Sequence, residues 1–163
     1  MTALARCWAL MVCTVLLTGC AHLSSGRQNA DPSAFWSGRL ALQVDGSAAQ
    51  SFSASFELKG SAEAGELTLF NPLGGTVARM LWQPGSAVLH ANGEVRSFDS
   101  LEALVAQATG APLPLAALFD WLQGSNTPVP GWQADLAHLE NGRITAVRNQ
   151  PEPTATLRLV LDK

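Results

Sequence analysis

Hydrophobic and polar residues alternate along much of the chain after residue 34, with the period of two that is typical of β-strands. The clearest example is SFSASFELK at residues 51–59, where phenylalanine, alanine and leucine alternate with serine, glutamate and lysine. Turn-forming pairs separate the alternating runs, at Asp45-Gly46, Pro84-Gly85 and Asn92-Gly93. The pattern predicts a meander of antiparallel strands with one apolar face.

The period changes near residue 99. Apolar residues at 101, 104, 105 and 108 have helical spacing, with Asp99 or Ser100 as the N-cap and Gly110 at the C-terminal end. The segment APLPLAALFDWLQG at residues 111–124 predicts a second short helix. Both helices need an apolar surface to cover, so we expect them on the apolar face of the sheet.

Three more strands are expected near the C-terminus, at Trp132–Leu139, Arg143–Arg148 and Thr154–Leu161. The fold class is therefore mainly β with a few α-helices. We predict a curved antiparallel sheet of roughly eight to ten strands with helices over its concave face.

Large apolar side chains fall on the surfaces predicted to face inward. In the sheet they are Trp36, Leu40, Phe52, Phe56, Leu67, Leu69, Met80 and Trp82, and in the helices Leu118, Trp121 and Leu122. One interpretation is that they line an apolar cavity between sheet and helices. The other is that they fill an ordinary core.

Composition narrows the function classes. Hydrophobic types make up 47% of the chain and charged types 14%, with a net charge of −3 and no basic cluster, which excludes a nucleic-acid partner. The chain has no G-x-S-x-G motif, His90 and His138 are isolated, and no cysteine follows Cys20. We therefore expect no catalytic residue, no metal site and no enzyme activity.

The N-terminus has the features of a secretory signal. Arg6 precedes an apolar run at residues 8–16 that is shorter than the ~20 residues a membrane-spanning helix needs. Residues 17–20, Leu-Thr-Gly-Cys, resemble the bacterial lipoprotein box, which implies an S-diacylglycerol and N-palmitoyl group on Cys20. The alternative is a plain signal peptide that ends near a cysteine.

This resemblance divides the chain into a lipoprotein signal peptide (1–19), the acylated cysteine with a flexible tether (20–34) and a folded domain (35–163). In lipoproteins an aspartate after the cysteine tends to retain the protein at the inner membrane, so Ala21 favours the outer membrane. No cofactor is expected apart from the covalent lipid on Cys20.

A turn at residues 71–75, Asn-Pro-Leu-Gly-Gly, has a leucine at its tip. Asn, Pro and Gly favour a tight turn, so Leu73 either projects into solvent or folds back over the edge of the sheet.

Several motifs together resemble the LolB family: FWSGRLAL, SFSASFEL, GELTLFNPLGG, ATGAPLPLAALFDWLQG and the following Trp132. The resemblance implies an open half-barrel with a helical lid over an apolar cavity. It also implies an outer-membrane lipoprotein that faces the periplasm, takes acylated lipoproteins from the carrier LolA and incorporates them into outer-membrane lipid.

By the same resemblance, Leu73 corresponds to an exposed loop leucine that acts in membrane insertion, and the protein is expected to be a monomer. Two alternatives stay open, namely an outer-membrane lipoprotein for another hydrophobic or lipid ligand, and a purely structural lipoprotein. The segment after Arg148 is shorter than the family pattern, so we expect one edge of the half-barrel to be shorter or more open.

Overall fold

Antiparallel pairing of nine strands organises the residues that the computed structural model describes, which are 34–45, 50–109 and 113–163. The strands are β1 (Phe35–Val44), β2 (Gln50–Gly60), β3 (Gly65–Phe70), β4 (Thr76–Gln83), β5 (Ser86–Ala91), β6 (Glu94–Phe98), β7 (Trp132–Asp135), β8 (Arg143–Arg148) and β9 (Ala155–Leu161). The helices are α1 (Leu101–Thr109) and α2 (Leu115–Leu122), and a short 3-10 helix spans Leu139–Asn141.

The strands follow the order β6-β5-β4-β3-β2-β1-β9-β8-β7. The two edge strands, β6 and β7, stand at opposite ends of this order, so the sheet stays open. β1 lies in its middle, between β2 and β9. The predicted fold class, an open antiparallel half-barrel with a helical lid, is confirmed.

Alternation along the strands produces the two faces of the sheet. In β1 the side chains of Leu42 and Val44 are buried, whereas those of Arg39 and Gln43 are exposed. The core lies on the concave face, where burying the apolar side chains supplies most of the folding free energy.

The helices cover this concave face at different places. Helix α1 packs against β5 and β6, and its N-terminus is capped by Ser100, whose Oγ accepts a hydrogen bond from the amide of Ala103 at 3.2 Å. Helix α2 lies over the sheet with the ring of Phe119 among the core residues.

The prediction of a strand at Trp132–Leu139 is wrong beyond Asp135, where β7 ends. The carboxylate of Asp135 accepts a hydrogen bond from the amide of Ala137 at 2.9 Å, which turns the chain out of the strand. A 3-10 helix follows at Leu139–Asn141. The other two C-terminal strands are confirmed, β8 at its predicted bounds and β9 starting one residue later.

A buried arginine connects β8 to the segment before β9. Arg148 is 2% exposed, and its Nε and Nη2 donate to the carbonyl oxygen of Pro153 at 3.2 and 2.6 Å. Its guanidinium also lies 5.8 Å from the ring centre of Trp132 on β7. These contacts offset the loss of hydration of a buried cation and fix the β7 edge.

The predicted signal peptide, Cys20, the tether and Gly110 lie outside the described residues. Within the described ranges no helix has the length and apolar character needed to cross a bilayer.

Candidate functional site

A cavity of about 540 Å³ lies on the concave side of the sheet, between the strands and the C-terminal end of α1. Most of its wall is apolar, formed by Leu42, Val44, Phe52, Leu69, Val77, Ala78, Met80, Leu89, Ala91 and Ala108. Its exposed lining residues include Ser51, Asn92 and Arg96, which places a polar rim where it meets solvent. The volume falls in the ~300–1,000 Å³ range of small-ligand sites.

A second void of about 40 Å³ lies beneath α2. Its wall contains large side chains, among them Phe56, Trp82 and Phe119, and it has no polar surface. Met80 lines both voids and therefore stands between them. Because methionine is unbranched and adapts to its surroundings, a change of its rotamer can move this boundary.

The predicted lining residues divide between these two spaces. Phe52, Leu69 and Met80 line the larger cavity. The small void is lined by Leu40, Phe56, Leu67, Met80, Trp82 and Leu118. Trp36, Trp121 and Leu122 line neither of them. A role for any of these side chains in holding acyl chains stays a prediction.

Aromatic packing explains why the largest side chains leave so little space. The ring of Phe119 makes an edge contact with Trp36 at 5.7 Å between centroids and a tilted contact with Trp82 at 6.3 Å. Trp121 is 1% exposed, and its Nε1 donates to the carbonyl oxygen of Thr127 at 3.0 Å. These rings form the packed end of the concave face, which we define as Trp36, Trp82, Phe119, Trp121 and their neighbours around the small void.

Sequence reasoning missed the small residues that create the larger space, which we call the open end. Ala78 and Ala91 are directly opposite each other on β4 and β5, so two methyl side chains face the cavity where larger ones would fill it. It also missed Arg96, the charged residue of the cavity wall. The sequence could have placed Arg96 on the concave side, because Phe98 follows it by two residues on β6 and alternate residues of a strand share a face.

The turn at residues 71–75 adjoins the open end. Leu69 before the turn and Val77 after it both line the larger cavity. Leu73 at its tip is 96% exposed, so of the two orientations predicted for this side chain the structure has the projecting one.

Local hydrogen bonds define the shape of this turn. The side-chain oxygen of Asn71 accepts from the amides of Leu73 at 2.9 Å and Gly75 at 3.0 Å. Gly74 has φ +83°, a conformation that favours glycine, with open space where a Cβ would point. The leucine is therefore presented by a compact turn, with its apolar surface in solvent.

An ion pair joins β3 and β4 on the convex face. Arg79 donates from Nη2 to a carboxylate oxygen of Glu66 at 2.7 Å. This hydrogen bond from Arg79 is the largest cause that holds the pKa of Glu66 below its ordinary value, with desolvation opposing it. In the described part of the chain, no group of three or more His, Cys, Asp and Glu side chains could hold a metal ion.

Comparison with known proteins gives one consistent family. Residues 35–156 match the family model described as outer membrane lipoprotein LolB. A relative from Bordetella petrii is 30% identical over 97% of this chain and 92% of its own length. Relatives from Chromobacterium violaceum and Halorhodospira halophila are 35% and 33% identical, covering 75% and 83% of this chain and 68% and 70% of their own. All three are named outer-membrane lipoprotein LolB.

Proposed function

The chain belongs to the LolB family of outer-membrane lipoproteins, and we propose that it takes acylated lipoproteins from a LolA-like periplasmic carrier and incorporates them into outer-membrane lipid. The observation that carries this proposal is the juxtaposition of an apolar cavity of about 540 Å³ with a turn that exposes Leu73 at 96%. The cavity holds acyl chains away from water, and the turn brings the cavity to lipid.

Physical chemistry sets what such a receptor must do. Each methylene of an acyl chain exposed to water costs about 0.8 kcal/mol, so the chains have to pass from one apolar environment to another. The cavity must hold them more tightly than the carrier does and less tightly than the bilayer does. Transfer then follows a descending series of free energies, without a catalytic residue, metal or cofactor.

We propose that Cys20 carries the lipid that anchors the protein to the outer membrane, with the folded domain in the periplasm. Two or more acyl chains make such an anchor stable, whereas one gives only marginal binding. Cys20→Ser removes the acyl acceptor, so we expect an uncleaved or non-membrane species, measured by intact mass and membrane fractionation. Recovery of this variant in outer membranes with the wild-type processed mass would contradict the assignment.

The role of Leu73 is tested by separating cargo acceptance from cargo release. Leu73→Glu should leave acceptance from the loaded carrier intact, because the residue is outside the cavity wall. Release into vesicles should fall by about tenfold or more, because placing a carboxylate in hydrocarbon costs more than the ~1.4 kcal/mol of a tenfold change. The free energy of unfolding should change by less than about 0.5 kcal/mol.

Val95→Glu is the matched control, since Val95 is 62% exposed on edge strand β6, which β5 separates from the two strands that the turn joins. It should accept and release cargo as the wild type does. If Leu73→Glu releases cargo at the wild-type rate, the loop is a simple turn with no role in cargo release. Binding of an acyl probe without any uptake of carrier-delivered lipoprotein would favour a receptor for another lipid.

A further inference from the structure

A second depression, of about 240 Å³, lies on the convex face of the sheet, on the side opposite the proposed acyl cavity. It is lined by Arg39, Ser53, Ala54, Ser55, Phe70 and Pro72. The strand register explains this grouping, because Arg39 on β1 is directly opposite Ser55 on β2, which is opposite Phe70 on β3. We call this depression the convex pocket.

The convex pocket has one charged lining residue, Arg39. Arg39 forms no ion pair in the described part of the chain, where the ion pairs are Lys59 with Glu57 and Arg79 with Glu66. Arg158 on β9 adds a second cation, since it is opposite Ala41, two residues along β1 from Arg39. A guanidinium beside two serine hydroxyls offers the donors that bind phosphate oxygens well.

The position of the pocket points to a particular source of phosphate. Pro72 forms part of its wall and immediately precedes Leu73, whose side chain is 96% exposed. When Leu73 enters the acyl layer of a membrane, residues adjoining the turn are brought to the depth of the headgroups. We propose that the convex pocket binds the phosphate of a phospholipid headgroup while Leu73 is inserted, which rests on the proposed function of the turn.

The experiment uses the full chain reconstituted in vesicles and a local photocrosslink. A diazirine-bearing amino acid replaces Ala41, which is opposite Ser53 on the same face and does not line the pocket. The control probe replaces Ser37, on the same face of β1 but ~13 Å further from the turn. We expect phospholipid crosslinks at position 41 and few at position 37 in vesicles of phosphatidylethanolamine and phosphatidylglycerol.

Two arginine variants then test the cation. Arg39→Gln should reduce the crosslink at position 41 roughly tenfold, as expected for the loss of one charge-assisted hydrogen bond. Arg143→Gln removes the same charge from the same face but outside the pocket, because Arg143 is on β8, on the far side of β9 from Arg39. It should leave the crosslink unchanged, and equal losses in both variants would overturn the proposal in favour of general charge attraction.

Vesicle composition identifies the ligand. Vesicles of digalactosyldiacylglycerol present a polar headgroup without phosphate and should give little crosslink at position 41. Equal crosslinking there would overturn phosphate recognition. Displacement of phospholipid by excess inorganic phosphate, but not by sodium chloride of the same ionic strength, would support phosphate recognition. Equal displacement by both salts would overturn it in favour of general charge attraction.

Failure of this proposal is distinguishable from failure of the proposed function. Cargo release is measured in the same vesicles, with Leu73→Glu beside Arg39→Gln. Wild-type protein that releases cargo without a crosslink at position 41 overturns only the convex pocket. Wild-type protein that gives the crosslink but neither accepts nor releases cargo overturns only the transfer function.

Discussion

The packed end and the open end of the concave face are built on the same sheet and differ mainly in side-chain size. At the packed end the ring of Phe119 contacts those of Trp36 and Trp82, and a void of only about 40 Å³ is left. At the open end Ala78 and Ala91 are opposite each other, and about 540 Å³ is unfilled. Aromatic rings in contact therefore fill the packed end, whereas the facing alanines of β4 and β5 leave room for a ligand at the open end.

The two ends also differ in what covers them. Helix α2 lies over the packed end and contributes Leu118 and Phe119 to its void, and the first half of α1 adds Leu101 and Val105. The open end is bordered by the last residues of α1, Ala108 and Thr109, and by the exposed ring of Phe52. Stability and binding capacity are thus placed in separate parts of one sheet, so each can be changed with limited effect on the other.

The largest expected effect is on stability, at the packed end. Phe119→Ala removes the ring that contacts both tryptophans and should lower the free energy of unfolding by about 3–5 kcal/mol. Denaturant unfolding followed by tryptophan fluorescence measures it. Val77→Ala at the open end is the control and should cost no more than about 1 kcal/mol. Similar losses in both variants would contradict the division between the two ends.

A second prediction concerns capacity and should affect binding more than stability. Ala78→Trp places an indole in the larger cavity and should weaken the binding of an environment-sensitive acyl probe by about tenfold or more. The free energy of unfolding should change by less than about 1 kcal/mol, because the ring enters existing space rather than a filled core.

The matched control for this variant is Val95→Trp, an indole on the outward face of β6. It should bind the probe as the wild type does. If Ala78→Trp also retains full binding, acyl chains occupy some other part of the molecule, and the open end is not their site.

The sequence was sufficient for the strands because their pattern is local. Residues of β2 alternate strictly, and the turn pair at Asn92-Gly93 fixes the β5–β6 hairpin, so the sheet could be predicted without knowing the tertiary structure. The exception was the end of β7, where the side chain of Asp135 competes with the strand by accepting a backbone hydrogen bond.

The cavity was harder to predict because a void is a property of facing residues rather than of any one of them. Trp36, Trp121 and Leu122 have the hydrophobicity expected of a lining, yet they lie outside both voids. Ala78 and Ala91 are unremarkable in the sequence and become informative only when the register places them opposite each other. Arg96 is likewise placed on the concave side by pairing with Leu89.

The smallest expected effect concerns the ion pair of Glu66 with Arg79 on the convex face. Its contribution to the free energy of unfolding can be compared with that of the packed end. Because Arg79 holds the pKa of Glu66 below its ordinary value, the pair stabilises the fold at neutral pH, and this contribution is lost as the pH falls through the lowered pKa. Glu66→Gln should therefore lower the free energy of unfolding at neutral pH, several-fold less than Phe119→Ala, since solvent screens an exposed pair. The difference from wild type should vanish in acid, as unfolding curves at several pH values would show.

Glu57→Gln is the control, because Glu57 and Lys59 are more exposed and separated by 3.5 Å, and it should show a smaller difference at neutral pH. A Glu66→Gln loss that equals the Phe119→Ala loss, or that persists unchanged in acid, would mean that the convex face contributes to stability on the scale of the packed end.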